Sequence, residues 1–340
     1  MSDTCCCARP RLPSTTSTLT FADRWDHFLA RWGYRRYSHR VEPGLYALGN
    51  PSPESPVFVT ANYTLSFDAL RSSLGGADGY IMVLDTRGIN VWCAAGKGTF
   101  GTEELVRRAD ATSLRDVVNH KTLILPQLGA TGVSAHEVRK RSGFRVEYGP
   151  VRARDLPEYM RTHRATREMR RVRFGIADRL ALAPIELVGV FLPTLVAAVL
   201  LLAAFGPIAA GAAVASVLAG TVLFPVLLPW IPTPHFSTKG LLLGAVAALP
   251  FAAAAAGKAA ASFGPERAPA AWWWVGRGIV YLLCMPPVTA YLTLNFTGSS
   301  TFTSKTGVRR EIYRYVPVMA WALGLGITLG IALVVLKRYS

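Results

Sequence analysis

The sequence lacks the cysteine spacing of a metal cluster. Its five cysteines are Cys5, Cys6, Cys7, Cys93 and Cys284, and no two stand as Cys-x-x-Cys. That spacing is what a built-in iron–sulfur or zinc site would need. An odd number of cysteines in a domain expected to face the cytoplasm also argues against a disulfide framework. The chain does not open on a basic stretch followed by an apolar core, so no cleavable signal peptide is expected. Acidic residues are scarce, 21 against 37 Lys and Arg, for a net charge of +16. In a soluble protein that excess would invite a nucleic-acid reading. Here the charge itself is missing from one half: from Leu180 onward the chain is mostly Ala, Leu, Val, Gly and Pro. A soluble domain therefore precedes a membrane domain. Six arginines fall between Arg161 and Arg173, just before the first long apolar run. A basic cluster in that position marks a cytoplasmic flank facing anionic lipid, and this reading is preferred to nucleic acid.

What is present divides the chain further. Residues 1–20, rich in Ser, Thr and Cys, are expected to be disordered. Residues 21–160 form an α/β domain, 161–179 a basic linker, and 180–340 an all-α transmembrane domain. Strand signals fall at Val57–Tyr63, Tyr80–Leu84, Leu123–Leu125 and Phe144–Tyr148. Between them lie helix signals: Ser66–Leu74 stopping at Gly75-Gly76, a short helix within Asp85–Lys97, and Thr102–Ala109. Ser113 with Asp116, and Ser134 with Glu137, have the spacing of capping boxes. Alternating strands and helices imply a Rossmann-like parallel sheet, whose ligand site lies at the carboxyl ends of the strands. The loops leaving those ends are Thr60–Tyr63, Asp85–Gly101, Pro126–Gly132 and Tyr148–Pro150.

Five apolar segments follow: Leu180–Ala204, Pro207–Trp230, Gly240–Phe263, Trp272–Phe296 and Tyr315–Leu336. Each reaches the roughly 20 residues that a bilayer core requires. Lys239, Lys305, Arg309, Arg310 and Arg314 fall on the side of the arginine cluster, which places the N-terminal domain inside. Pro207 makes the first turn tight enough for spans one and two to form a hairpin. Glu186 and Lys258 are the candidate intramembrane charges, and both lie toward span ends. So few charges argue against a transporter carrying a regulatory domain. The hydroxyl-rich stretch Asn295–Ser304 is read as a docking surface or a polar connector. Cys284, beside Pro286 and Pro287, is read as packing at a kink.

The segment most suggestive of chemistry is Asp85–Gly101. A strand ends, the chain turns, and a lone Cys93 appears among the small residues Ala94, Ala95 and Gly96. Lys97 and the local helix N-terminus would favour thiolate over thiol; a buried structural cysteine is the alternative. Thr60 and Asn62 end a strand at the rim, as ligand contacts or as simple turn chemistry. Gln127, Leu128, Gly129 and Gly132 suit either a nucleotide tail against free backbone N–H groups or a glycine-rich connection. Asn90, Val91 and Trp92 open the short helix, and Trp92 could equally be core packing.

The run Asn90-Val-Trp-Cys-Ala-Ala-Gly-Lys97 resembles the cap helix of the mercury-methylating corrinoid protein family, Asn-(Val/Ile)-Trp-Cys-Ala-(Ala/Gly)-Gly-Lys, at every position. Val59–Tyr63, Val83–Thr86, Gly98–Thr102 and Leu125–Ala130 also resemble that family, as does a corrinoid domain followed by five membrane helices. More distantly, 56–175 is similar to the large subunit of the acetyl-CoA-pathway corrinoid/iron–sulfur protein, which places no Cys at the cap. The resemblance implies a corrinoid-binding domain holding cobalamin or a related corrinoid, with Cys93 as lower axial cobalt ligand. Thr60, Asn62, residues 90–97, Gln127, Leu128, Gly129 and Gly132 are the implied cofactor contacts. The Asp-x-His-x-x-Gly motif of many methyl-transferring corrinoid proteins is absent; His120 and His136 have the wrong neighbours. The implied activity is methyl transfer to Hg(II), with a small protein bearing two [4Fe–4S] clusters as electron donor and a methyltetrahydrofolate-linked methyl source. A membrane-bound methyl carrier in C1 metabolism with another acceptor is the alternative. The implied location is the cytoplasmic membrane, with the corrinoid domain facing the cytoplasm.

Overall fold

The computed structural model describes residues 12–261, 271–298, 300 and 304–339. The chain divides into two compact units, Met1–Arg173 and Phe174–Ser340. Among the described residues of the first, six strands form one sheet: β1 (Ser14–Thr15), β2 (Gly44–Leu48), β3 (Val57–Ala61), β4 (Gly79–Leu84), β5 (Thr122–Leu125) and β6 (Arg145–Tyr148). Its helices are α1 (Phe21–Arg31), α2 (Thr64–Ser73), α3 (Val91–Lys97), α4 (Thr102–Ala111), α5 (Leu114–Val117), α6 (Ala135–Ser142) and α7 (Leu156–Thr162). Every residue of β3 and β4 is buried, as expected of strands covered on both faces. Alternation sorts their side chains. Val57, Val59, Tyr80, Met82, Leu84, Leu123 and Leu125 join α4, α5 and α6 in one core. Phe58, Ile81, Val83 and Ile124 join α2 and α7 in the other. The unit is a mixed α/β layer structure.

The strand order is β1-β2-β4-β3-β5-β6. β4, β3, β5 and β6 run parallel, while β2 pairs with β4 antiparallel. The expected all-parallel sheet is thus extended by an antiparallel strand on the β4 edge. Disorder through residue 20 also fails for the described part of that segment. Ser14 and Thr15 pair with β2, and Thr20 caps α1 in a reciprocal box with Asp23. Cys5, Cys6 and Cys7 lie outside the described residues. The buried Arg71 guanidinium fastens this start to α2. It donates to Asp68 Oδ1 at 2.6 Å and to the carbonyls of Thr16 and Thr18 at 2.8 and 2.9 Å, and pairs with Asp23 at 2.9 Å. Burial would push the Asp23 carboxyl up, but hydrogen bonds from Thr20 and Arg71 outweigh it and hold the group below its usual range.

Two helix-start expectations resolve differently. Ser134 caps α6 by accepting from Glu137 N. Ser113 does not cap α5: it sits in the left-handed region at φ 47° with no side-chain cap bond. The basic segment after α7 is a folded connection and not a plain linker. It turns back so that Val151 N donates to Met169 O at 2.8 Å, and Met169 is buried.

The second unit is helical: α8 (Ile176–Leu180), α9 (Ala183–Phe205), α10 (Pro207–Leu218), α11 (Phe224–Leu227), α12 (Phe236–Ala261), α13 (Ala271–Thr293) and α14 (Lys305–Tyr339). A π-turn, Ala219–Leu223, links α10 to α11. Among the described residues, five helical stretches are long and apolar enough to cross a membrane: Ile176–Phe205, Pro207–Leu227, Phe236–Gly257, Trp272–Phe296 and Thr306–Leu336. The first and last begin earlier than the apolar runs themselves, because the first takes in α8 and the last opens within the polar start of α14. Gly206, at φ 86°, ends α9 and Pro207 opens α10, so the tight hairpin is present. α12 and α13 approach closely through small residues: a Cβ at Gly240 or Gly244 would lie 2.5 or 2.6 Å from the backbone of Ala290 or Pro286. The carboxylate at Glu186 accepts from Asn295 Nδ2 at 2.9 Å. Glu311, buried in the last span, accepts from Ser237 N; neither it nor Arg277 in span four was singled out from the sequence. The side chain of Lys258, and residues 299 and 301–303 of the hydroxyl-rich stretch, lie outside the described residues.

Candidate functional site

The site follows from where two parallel strands part. β3 pairs with β4 through Ala61↔Leu84, but its ladder with β5 holds only Val57↔Leu123 and Phe58↔Ile124. Pro126, which has no N–H to donate, follows β5 directly. Chain order also reverses here, since β3 leads to β4 on one side and β5 lies on the other. Open α/β sheets bind ligands at such a point. A cavity of about 300 Å³ occupies it. Its floor includes Phe58, Thr60, Ile124 and Leu125. Ser66, Ala69 and Leu70 of α2 form one wall, and Val151, Ala153 and Leu156 form another. Asn90, Val91 and Trp92, at the start of α3, close the top together with Leu128.

A loop held from below positions α3. The buried Asn62 side chain accepts from Thr86 N and Gly88 N through Oδ1, at 3.1 and 2.9 Å. Its Nδ2 donates to Asp85 Oδ1 at 3.4 Å. Thr86 Oγ1 donates to Ile89 O at 2.7 Å, and Asp85 N donates to Glu104 Oε1 at 2.9 Å. Arg87 and Gly88 both have positive φ, 60° and 71°, so the turn is sharp. Asn90 then caps α3 by accepting from Cys93 N at 2.9 Å.

α3 has two faces, as the 3.6-residue repeat requires. Val91, Ala94 and Ala95 are buried in the core with Phe100 and Leu105. Trp92, Cys93 and Gly96 are half-buried, and Lys97 is exposed. A Cβ added at Gly96 would meet nothing within 4 Å. The open face therefore carries a thiol beside a residue that occupies almost no space.

The structure accordingly sorts the expected contacts. Thr60, Asn90, Val91, Trp92 and Leu128 converge on the cavity. Thr60 is buried and lines the cavity. Cys93, Gly96 and Lys97 share the outer face of α3. The others have work within the protein. Asn62 holds the loop instead of facing the rim. Ala94 and Ala95 point into the core, so they cannot present a flat surface to a ligand. A Cβ at Gly129 would sit 2.6 Å from the Phe100 ring, and one at Gly132 would sit 2.2 Å from Phe100 O; both glycines let this turn pack under α3. Gln127 Oε1 accepts from Arg170 at 2.8 Å, which ties the turn to the basic segment. His120 is likewise engaged, with Ser55 O and Thr122 N at 2.9 and 3.2 Å. Among the described residues, no group of three or more His, Cys, Asp or Glu could hold a metal ion. Sequence reasoning missed the Ser66–Leu70 and Val151–Leu156 walls, which lie far from α3 along the chain.

Residues 34–160 match the family described as CO dehydrogenase/acetyl-CoA synthase delta subunit. That span contains the sheet from β2 to β6 and the whole cavity rim to Leu156. Curated relatives agree. The gamma subunit of the acetyl-CoA decarbonylase/synthase complex of Archaeoglobus fulgidus is 34 % identical over 114 residues, covering 33 % of this chain and 24 % of its own length. The corresponding subunit of Methanopyrus kandleri is 33 % identical over 127 residues, covering 37 % of this chain and 27 % of its own. The chain thus spans about a quarter of the length of these relatives. The family match lies within the first unit.

Proposed function

We propose that the first unit is a Rossmann-like corrinoid-binding domain and that the protein is a membrane-bound corrinoid-dependent methyltransferase acting on Hg(II), with Cys93 as lower axial ligand to cobalt. The observation that carries this reading is the outer face of α3: a half-buried thiol, one turn from an open Gly96, at the switch point of the sheet. The chemistry of that donor fits the group, since a thiolate is a soft, electron-rich ligand. The open space at Gly96 leaves room for a planar ring against the helix, and the adjoining cavity suits a polar tail that the Thr60 hydroxyl can meet.

When bound, the corrinoid supplies a cobalt centre able to carry a methyl group. The residues of this chain do the rest. Asn90 holds the Cys93 backbone, and Asn62 holds the loop before it, so the sulfur approaches from a fixed direction. Axial-ligand identity is a main lever on such a metal. A bound corrinoid would be held by Cys93 through thiolate donation, which would favour methyl delivery to an electrophile such as Hg(II). The same donation makes reduction harder, so a low-potential partner is required; a small protein with two [4Fe–4S] clusters suits that role. A methyltetrahydrofolate-linked donor is the proposed methyl source. The arginine-rich 161–173 segment supports a cytoplasmic location for this unit at the cytoplasmic membrane.

A second reading keeps the corrinoid and changes the acceptor. The relatives are named for acetyl-CoA decarbonylase/synthase, which favours a C1-metabolism methyl carrier. The two separate on one assay. Cells expressing the full chain with its electron donor should form methylmercury from Hg(II), and Cys93→Ala should abolish it. Full activity in Cys93→Ala, or no methylmercury from the wild type under conditions where cobalt is methylated, would overturn the mercury assignment.

A further inference from the structure

Within the second unit a cavity of about 1140 Å³ lies between the hairpin of α9 and α10 and the pair α13 and α14. Its walls are thinned by small residues, among them Ala197, Ala204, Ala213, Ala320, Gly326 and Gly330. Along α13 it extends from Trp273 to Leu292, about 28 Å at 1.5 Å per residue, close to the roughly 30 Å hydrocarbon core of a bilayer. Its lining is mostly apolar, which suits an apolar occupant such as an acyl chain.

One lining residue restricts what that occupant is. Arg277 is the single charged residue among the described residues that line the cavity. It is half-buried, its guanidinium lies 5.1 Å from the centre of the Trp273 ring, and no carboxylate pairs with it among the described residues. It stands five residues into the Trp272–Phe296 span, within reach of the headgroup level. A cation in apolar surroundings calls for an anion, and a guanidinium suits phosphate oxygens in particular. We propose that this cavity is a binding site for one anionic phospholipid. Its phosphate is held by Arg277 at the Trp272 end, and an acyl chain runs inward between the two helix pairs.

The test uses the full chain in nanodiscs of equal phosphatidylcholine and phosphatidylglycerol, released into mild detergent and read by native mass spectrometry. Both lipids offer a phosphate, but in phosphatidylcholine the choline cation opposes Arg277 and leaves the headgroup net neutral, so the wild type should retain phosphatidylglycerol over it by about tenfold. Arg277→Gln should erase that preference and Arg277→Lys should keep part of it. Filling the void with Ala213→Phe and Ala320→Phe should lower retention of both lipids. Thermal unfolding in the same nanodiscs checks the fold; if the filled variant does not fold, the Arg277 pair decides alone. Equal retention of both lipids by the wild type, an unchanged preference in Arg277→Gln, or displacement of the lipid by inorganic phosphate would overturn the proposal.

Discussion

Asn62 offers the sharpest test of how the Cys93 helix is held. In Asn62→Ala two backbone donors, Thr86 N and Gly88 N, lose their acceptor at once. Thr86 is fully buried, and stranding a buried donor costs about 1–3 kcal/mol. Gly88 is half-buried and can reach water, so its loss adds less. Opening of the Asp85–Asn90 loop should become easier by about 2–4 kcal/mol, a fall in hydrogen-exchange protection of roughly thirty- to several-hundredfold. Exchange measured by mass spectrometry on the full chain in detergent reads this directly, with β6 as internal control. Asn62→Asp keeps an acceptor but sets a second carboxylate near Asp85, 3.4 Å from the present amide nitrogen, so it should fall between the two. Equal protection of residues 85–97 in wild type and Asn62→Ala would refute the claim that this side chain positions the helix.

Two glycines make a contrasting pair. Gly132→Ala drives a Cβ against the Phe100 and Ala95 backbone and should destabilise the first unit by about 1–3 kcal/mol, seen as a lower denaturation midpoint. Gly96→Ala meets nothing and should leave stability equal or slightly higher, yet weaken corrinoid binding, because its methyl enters the face proposed for the ring. The Asp23 carboxyl is held below its ordinary value of 3.8. A value depressed in the folded state contributes stability that is present above 3.8 and lost as pH falls through the lower folded value. Protection factors across Thr20–Arg31 should therefore drop on acidification below 3.8, and Asp23→Asn should remove the pH dependence along with the stabilisation. Arg170→Ala frees Gln127 from its 2.8 Å bond and should raise exchange in the Gln127–Thr131 turn while leaving β5 unchanged.

Much of this architecture was legible from local pattern. Gly79–Leu84 is a continuous apolar run and becomes a strand buried at every position. The apolar stretches of the second half become helices of spanning length. What escaped was non-local or depended on a face. Asn62 reads as a rim contact until its partners, 24 and 26 residues further on, are in place. Gly129 and Gly132 announce a close approach, but the sequence does not say whether a ligand or Phe100 makes it. Ala94 and Ala95 could have been assigned to the core, since they fall three and four residues after the apolar Val91, while Cys93 and Gly96 fall on the other side of the turn. The N-terminal edge was missed because β1 is two residues long and draws its order from Pro13 and Arg71, not from its own composition.

The central claim is that Cys93 sulfur binds cobalt, and cobalt-edge X-ray absorption on the full chain reconstituted with cobalamin tests it most directly. A sulfur scatterer in the first coordination shell of the wild type, absent from Cys93→Ala protein that still retains the corrinoid, is the predicted result. A first shell of nitrogen and oxygen alone in the wild type, or an unchanged sulfur signal in Cys93→Ala, would contradict it.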